Sequence, residues 1–297
     1  MLKVIAIVGP TAVGKTSLSL EIAEKLSAEI INADAMQIYK GMDIGTAKLA
    51  LSERRGITHH QIDVLDPEEE ASVSAYQKQT REIINDLLNK KVQPMLVGGS
   101  GLYVNSVLED LEFPGTNLEI RAKYEEILEE QGVEVLYEML ERIDKEAAQN
   151  ILPNNARKIV RALEVNEFTG NNFNAKLPEP SPVFSDARIA LDMPRDLLDA
   201  RIAERVHQMF KDGFVEEVKS LESKLRKGKT ALRALGYSQV LSLLNGEITE
   251  QDAITLTINA TKKFARRQLS WFRRDPLIHW LDATSPQLLD QSLRLIG

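Results

Sequence analysis

The residues with the clearest chemical signature lie near the start of the chain, in the segment GPTAVGKT. Gly9, Gly14, Lys15 and Thr16 fit the pattern G-x-x-x-x-G-K-[ST], with Pro10, Thr11, Ala12 and Val13 filling the loop. Such a loop turns backbone N–H groups inward and opens a helix whose dipole favours negative charge, so it cradles a di- or triphosphate. In that pattern the lysine reaches phosphate oxygens and the threonine hydroxyl, Thr16 here, can ligate Mg²⁺. With glycine at about 7% of residues, a chance match in a chain of this length is on the order of one in a hundred. The alternative is an ordinary glycine-containing turn, and the flanks argue against it. An apolar run at residues 4–8 precedes the loop, and Leu18, Ile22 and Leu26 recur at helical spacing after it.

Other elements must hold this loop in place. Short apolar runs recur at residues 4–8, 29–32, 61–65, 94–98, 188–192 and 278–281, with helical periodicity in most of the gaps. That alternation predicts an α/β fold with a mainly parallel sheet, whose ligands gather beyond the carboxyl ends of the strands. Three predicted strand ends carry polar or glycine-rich segments, at 9–16, 34–37 and 98–101, and are candidates for one shared site. The alternation fails between about 115 and 185. There the periodicity predicts helices at 118–130, 133–143 and 155–168, with Asn154 or Asn155 as N-cap, Gly170 as the stop, and a linker in TGNNFNAKLPEPSP. The expected organisation is a discontinuous α/β core, residues 1–114 and 186–297, interrupted by a helical insertion at 115–185.

Composition bounds the chemistry. The 297 residues, 43% hydrophobic, can bury one large core or a core with a smaller appended domain. Absence of cysteine removes disulfides and thiolate zinc sites, which suits a reducing cytosol. The histidines His59, His60, His207 and His279 show no metal-ligand spacing. The chain begins without a charged-then-apolar signal segment and has no apolar stretch of about 18 residues, so a cytoplasmic protein without a membrane span is expected. The net charge of −7 argues against a nucleic-acid partner only if charges are evenly spread. They are not. Between 252 and 274, Ile254, Ile258, Ala265, Leu269 and Phe272 form one helical stripe, while Lys263, Arg266, Arg267, Arg273 and Arg274 fall opposite. A solvated surface helix would give the same pattern.

GPTAVGKT is followed in order by NADAMQIYKGMDIGTAK (32–48), ITHHQIDVLDP (57–67), GGSGLY (98–103), NNARKIVRALEV (154–165), ALRALGY (231–237) and TKKFARRQLSWFRRD (261–275). Over almost its whole length the chain thus resembles the tRNA dimethylallyltransferase family. The resemblance implies a P-loop-type core with a helical insertion, and transfer of a dimethylallyl group from dimethylallyl pyrophosphate to N6 of the adenosine just 3′ of the anticodon, with Mg²⁺. It implies that the loop grips the pyrophosphate of the prenyl donor rather than ATP. The partner would be the anticodon stem-loop of tRNA, and the enzyme is expected to act as a monomer.

Adenine N6 is a poor nucleophile, so the reaction needs a base for its proton and neutralisation of charge on the leaving group. Asp34, at the end of the second predicted strand, matches the family's base; read alone it is a strand-end or capping aspartate. Arg205 matches the arginine that joins Lys15, Thr16 and Mg²⁺ around the pyrophosphate. The target base must leave its stack, at a cost of a few kcal/mol. By resemblance Asp34, Ala35, Met36 and Gln37 meet the flipped base and Ser100 lines the reaction channel. Arg121 and the run Arg157, Lys158, Ile159, Val160 and Arg161 would touch RNA. Two positions depart from the family pattern: Ala35 stands where a serine is usual, and Ser100 where a threonine is usual. The missing hydroxyl at 35 puts a hydrogen-bonding role there in doubt. Eukaryotic relatives add a carboxyl-terminal zinc finger, so this chain is similar to the bacterial form. An adenylate prenyltransferase and a small-molecule kinase share the phosphate loop, and a non-catalytic RNA-binding protein could carry it. The helical insertion and the basic stretch favour the tRNA enzyme, because a free nucleotide needs neither.

Overall fold

The computed structural model describes residues 2–174 and 178–297; within the linker expected at 169–182, positions 175–177 lie outside the described residues. Six strands form one parallel sheet in the order β3-β2-β4-β1-β5-β6. They are β1 (Val4–Val8), β2 (Ala28–Asn32), β3 (His59–His60), β4 (Gln93–Gly98), β5 (Asp186–Asp192) and β6 (Ile278–Asp282). All five residues of β1 are buried, as expected of a strand covered on both faces. Its side chains alternate. Ile5 and Ile7 meet Leu18 and Ile22 of α1 (Lys15–Leu26) and Ile202 of α8 (Arg195–Lys211). Val4, Ala6 and Val8 meet Tyr76 and Ile84 of α2 (Val73–Asn89) and Val107 of α3 (Gly101–Leu108). A third cluster packs Ile38, Tyr39 and Met42 against Phe214 of α9 (Phe214–Lys227) and Tyr237 of α10 (Tyr237–Leu244).

The apolar run at 61–65 is not a strand. Pairing with β2 stops at His60, because Gln61 and Asp63 take left-handed backbone angles, φ 58° and 57°, that an extended strand cannot contain. His59 and His60 occupy β3 instead, half-buried, with His60 Nε2 2.6 Å from Glu29 Oε2.

The chain divides into two compact units, Met1–Asp110 with Ser181–Gly297, and Leu111–Pro180. The smaller unit holds α4 (Leu118–Gln131), α5 (Val133–Ile143), α6 (Lys145–Gln149) and α7 (Ala156–Thr169) around Tyr124, Leu136, Leu140, Ile159 and Leu163. The short α6 went unanticipated because five residues cannot show a helical period. Asn155 caps α7 by accepting from Lys158 N–H at 3.2 Å, and Gly170 ends it with φ 70°. In the larger unit, the segments bordering the excursion, one leaving α3 and one leading into β5, are joined by a bridge between Glu109 and Pro182. Buried Arg188 of β5 pairs there with Glu109, Asp186 and Asp275. The larger unit ends with α11 (Glu250–Phe272), β6 and α12 (Leu288–Ile296). Among the described residues no helix is long and apolar enough to cross a membrane.

Candidate active site

The loop between β1 and α1 enters the helix through Gly14 at φ 107°, an angle open to glycine at no steric cost. No side chain caps the helix there, so the first N–H groups of α1 are available to an anion. Lys15 folds back over the loop and its Nζ donates to Gly9 O at 3.0 Å and Pro10 O at 2.7 Å. Burial lowers its ammonium to about pKa 8; Asp34 opposes the shift and Arg205 adds to it. Arg205, from the middle of α8, donates through Nη1 to Thr11 Oγ1 at 3.2 Å. Its pKa is also lowered by burial, with Asp34 opposing. Two desolvated cations from distant parts of the chain therefore share one carboxylate neighbour. Thr16 is exposed in the first turn of α1.

The Asp34 carboxylate is aimed by its backbone. Asn32, the last residue of β2, accepts from Asp34 N–H at 3.0 Å and donates through Nδ2 to Asp34 O and Gln61 O, both at 3.0 Å. Tyr76 OH donates to Asn32 O at 2.7 Å. Met36 N–H donates to Asp34 Oδ1 at 2.9 Å, closing an Asx turn. That is the only hydrogen bond to this carboxylate among the described residues, and the side chain is half-buried. The two departures from the family pattern meet each other. Ser100 Oγ accepts from Ala35 N–H at 3.0 Å, so position 35 contributes its backbone and needs no hydroxyl. The Gln37 amide is committed, Nε2 donating to Thr46 O and Ala47 O at 3.1 and 3.3 Å. Met36 packs against the apolar cluster around Tyr39.

In the smaller unit the expected RNA residues have an unforeseen partner, Glu164, which is fully buried. Its Oε2 accepts from Arg121 Nε and Nη2 at 3.0 and 2.9 Å and pairs with Arg161 Nη1 at 2.9 Å; Oε1 accepts from Asn117 N–H at 3.0 Å. Both arginines keep about a quarter of their surface, 26% and 25%. Arg157 is exposed and Lys158 half-buried. Ile159 and Val160 were expected beside RNA, but at 0% and 6% exposure their side chains belong to the core of this unit. Helical periodicity turns them inward while their neighbours face out.

A family model described as IPP transferase matches residues 37–275. The chain belongs to the IPP transferase family. The matched span begins at residue 37, after the loop at 9–16 and Asp34, whereas similarity to curated relatives extends over the whole chain. A tRNA dimethylallyltransferase from Thermobifida fusca is 52% identical, covering 100% of this chain and 95% of its own. A tRNA isopentenylpyrophosphate transferase from Bacillus halodurans superposes with TM-score 0.71 at 37% identity, over 100% and 95% of the two chains. A eukaryotic dimethylallyltransferase captured acting on tRNA gives TM-score 0.82 at 28% identity, over 99% of this chain and 77% of that one.

In this IPP transferase α11 buries Ile254, Ala265 and Phe272 and exposes Lys263, Arg266 and Arg267, and Arg273 and Arg274 are exposed in the turn that follows it. Arg273 Nη2 donates to Asp192 Oδ2 at 2.9 Å. Three supporting residues escape a reading of the sequence alone. Asn32 sits in an apolar strand, Gln268 interrupts an apolar stripe, and Glu164 looks like one acid among many on a charged helix. The first two carry a detectable signal, a polar residue where the period predicts a buried one.

Proposed function

We propose that this chain transfers a dimethylallyl group from dimethylallyl pyrophosphate to N6 of the adenosine 3′-adjacent to the anticodon in tRNA, acting as a monomer in the cytoplasm. The observation that carries the reading is the Asp34 carboxylate, aimed by Asn32 and Met36 and electrostatically coupled to Lys15 and Arg205 at the phosphate loop.

The donor's pyrophosphate would take the N–H groups from Ala12 to Thr16, with Lys15 exchanging Gly9 O and Pro10 O for phosphate oxygens. Arg205 would meet charge that builds as the bond from prenyl C1 to oxygen breaks. N6 then bonds to C1, its proton passes to Asp34, and pyrophosphate leaves. Among the described residues no group of three acidic or imidazole ligands could hold a metal by itself. The Thr16 hydroxyl instead suits an Mg²⁺ that arrives with phosphate oxygens and water as its other ligands. That ion would supply further neutralisation of the leaving group. Ser100 shapes the base pocket through the Ala35 backbone. Arg266, Arg267, Arg273 and Arg274 of the larger unit and Arg157 and Lys158 of the smaller one are assigned to RNA phosphates, with Arg121 and Arg161 contributing what Glu164 leaves exposed.

The test is incubation with unmodified tRNA and dimethylallyl pyrophosphate, followed by mass analysis of the nucleosides. A gain of one dimethylallyl group on adenosine is expected. Modification of free adenylate but not of tRNA would contradict the proposal.

A further inference from the structure

Gln268 lies on the buried side of α11, 5% exposed, with both ends of its amide bonded to segments far away in sequence. Oε1 accepts from Thr11 N–H at 2.9 Å, and Nε2 donates to Gly99 O at 2.9 Å. Room for this bridge depends on a missing side chain, because a Cβ on Gly99 would lie 2.1 Å from Gln268 Nε2. Nothing in the chemistry of packing requires a polar residue here. A buried amide is tolerated only when its hydrogen bonds are made, and a leucine or methionine would fill the same stripe.

Each partner leads to a different half of the active site. Thr11 receives the Arg205 guanidinium on Oγ1, so whatever fixes the Thr11 backbone fixes the arginine assigned to the leaving group. Gly99 precedes Ser100, whose hydroxyl holds Ala35 N–H beside Asp34. We infer that Gln268 is a positioning residue that keeps the phosphate loop in register with segment 99–101, and through them aligns Arg205 with Asp34. One turn along the same helix, Trp271 Nε1 donates to Asn105 Oδ1 of α3 at 3.1 Å, which anchors α11 to the element that segment 99–101 opens. The bond from Gln268 also occupies Thr11 N–H, so anion binding falls to the loop donors after it.

The inference rests on the proposed donor reading of the loop, and its test separates the two. Inorganic pyrophosphate with Mg²⁺ is titrated into the full chain, with no tRNA present, for wild type, Gln268→Met, Arg205→Gln and the double variant. Gln268→Met is expected to weaken pyrophosphate by about tenfold. In the Arg205→Gln background the same change should cost less than about threefold, because the group it positions is already gone. Affinity for tRNA should stay within about twofold, and single-turnover transfer should fall by up to about a hundredfold, as a misalignment near 1 Å can produce. If Gln268→Met unfolds the chain, Gln268→Asn, too short to span both partners, carries the same expectations. Equal pyrophosphate affinity in wild type and Gln268 variants, an additive cycle, or a parallel loss of tRNA affinity would overturn the inference. A wild type that binds pyrophosphate but modifies no tRNA would sink the functional proposal alone, whereas one that binds no pyrophosphate would sink both.

Discussion

Arg205 and Arg161 are both helix arginines assigned to anionic partners, and the protein holds them in opposite ways. Arg205 rests on a neutral hydroxyl, Thr11 Oγ1, with its charge opposed by burial and supported by Asp34. Arg161 is paired with the fully buried Glu164, which it shares with Arg121. A desolvated cation without a full counterion is primed for an incoming anion, since binding restores the interactions that folding removed. A cation already paired to a buried carboxylate gains less from a second anion and does more to hold α4 against α7. Motif and spacing mark the two arginines alike; the partner each one meets in the fold tells them apart.

The strongest way to break the contrast is to remove the buried acid. Glu164→Ala leaves Arg121 and Arg161 facing each other and should destabilise the smaller unit by about 3–5 kcal/mol, the range for breaking a buried pair. Urea unfolding followed by a probe in residues 111–180 measures it, and a loss under about 1 kcal/mol would deny Glu164 its structural role.

Lys15→Ala acts on the other side of the contrast. It should lower donor affinity and transfer together, by about 10²–10³-fold in kcat/KM, while affinity for tRNA barely changes. If donor binding survives and ATP binding collapses, the loop belongs to a kinase.

The pH response sharpens the same point. With the Lys15 ammonium lowered to about 8, the loop is fully charged below that pH and loses its charge above it. A bound anion returns the proton, so the prenyl diphosphate should bind with proton uptake above pH 8, its affinity falling by up to about tenfold per pH unit. Between about 8 and 10.5 the unfolded chain binds that proton more tightly than the folded one, so Lys15 makes folding stability rise with pH across this window. Calorimetry of donor binding in buffers of different ionisation enthalpy reads the uptake directly, and Lys15→Met should abolish it.

The smallest effect is expected on α11. If Arg266 and Arg273 meet RNA phosphate, Arg266→Gln/Arg273→Gln should flatten the salt dependence of tRNA affinity by about 0.7–0.9 log units per log of salt for each phosphate no longer neutralised. Equal slopes and affinities would return this face to solvent.

These contrasts also mark what the sequence reveals. Most of the sheet was legible because parallel strands buried on both faces read as apolar runs, as at Val4–Val8. The turn from β1 into α1 was legible because its backbone, at φ 107°, demands glycine at 14. The run at 61–65 misled because alternation reports side-chain polarity and not the left-handed turns at Gln61 and Asp63 that end pairing. The pairing of Arg121 and Arg161 with Glu164 was hidden for another reason. Helical charge patterns give the face of a residue but not the neighbouring helix that covers it, and Asn117 with Arg121 comes from α4 and its cap. Gln268 was hidden in the same way, its partners lying far off along the chain.

The central claim is that Asp34 takes the proton from the nucleophilic amine while Lys15 and Arg205 hold the leaving group. Single-turnover transfer from dimethylallyl pyrophosphate to saturating tRNA by Asp34→Asn tests it most directly, because the substitution keeps the side chain's size and its bond to Met36 N–H. The chemical step is expected to slow by about 10²–10⁴-fold, the range for losing a positioned base, with tRNA affinity unchanged. A rate within a few-fold of wild type would contradict it and move the base elsewhere.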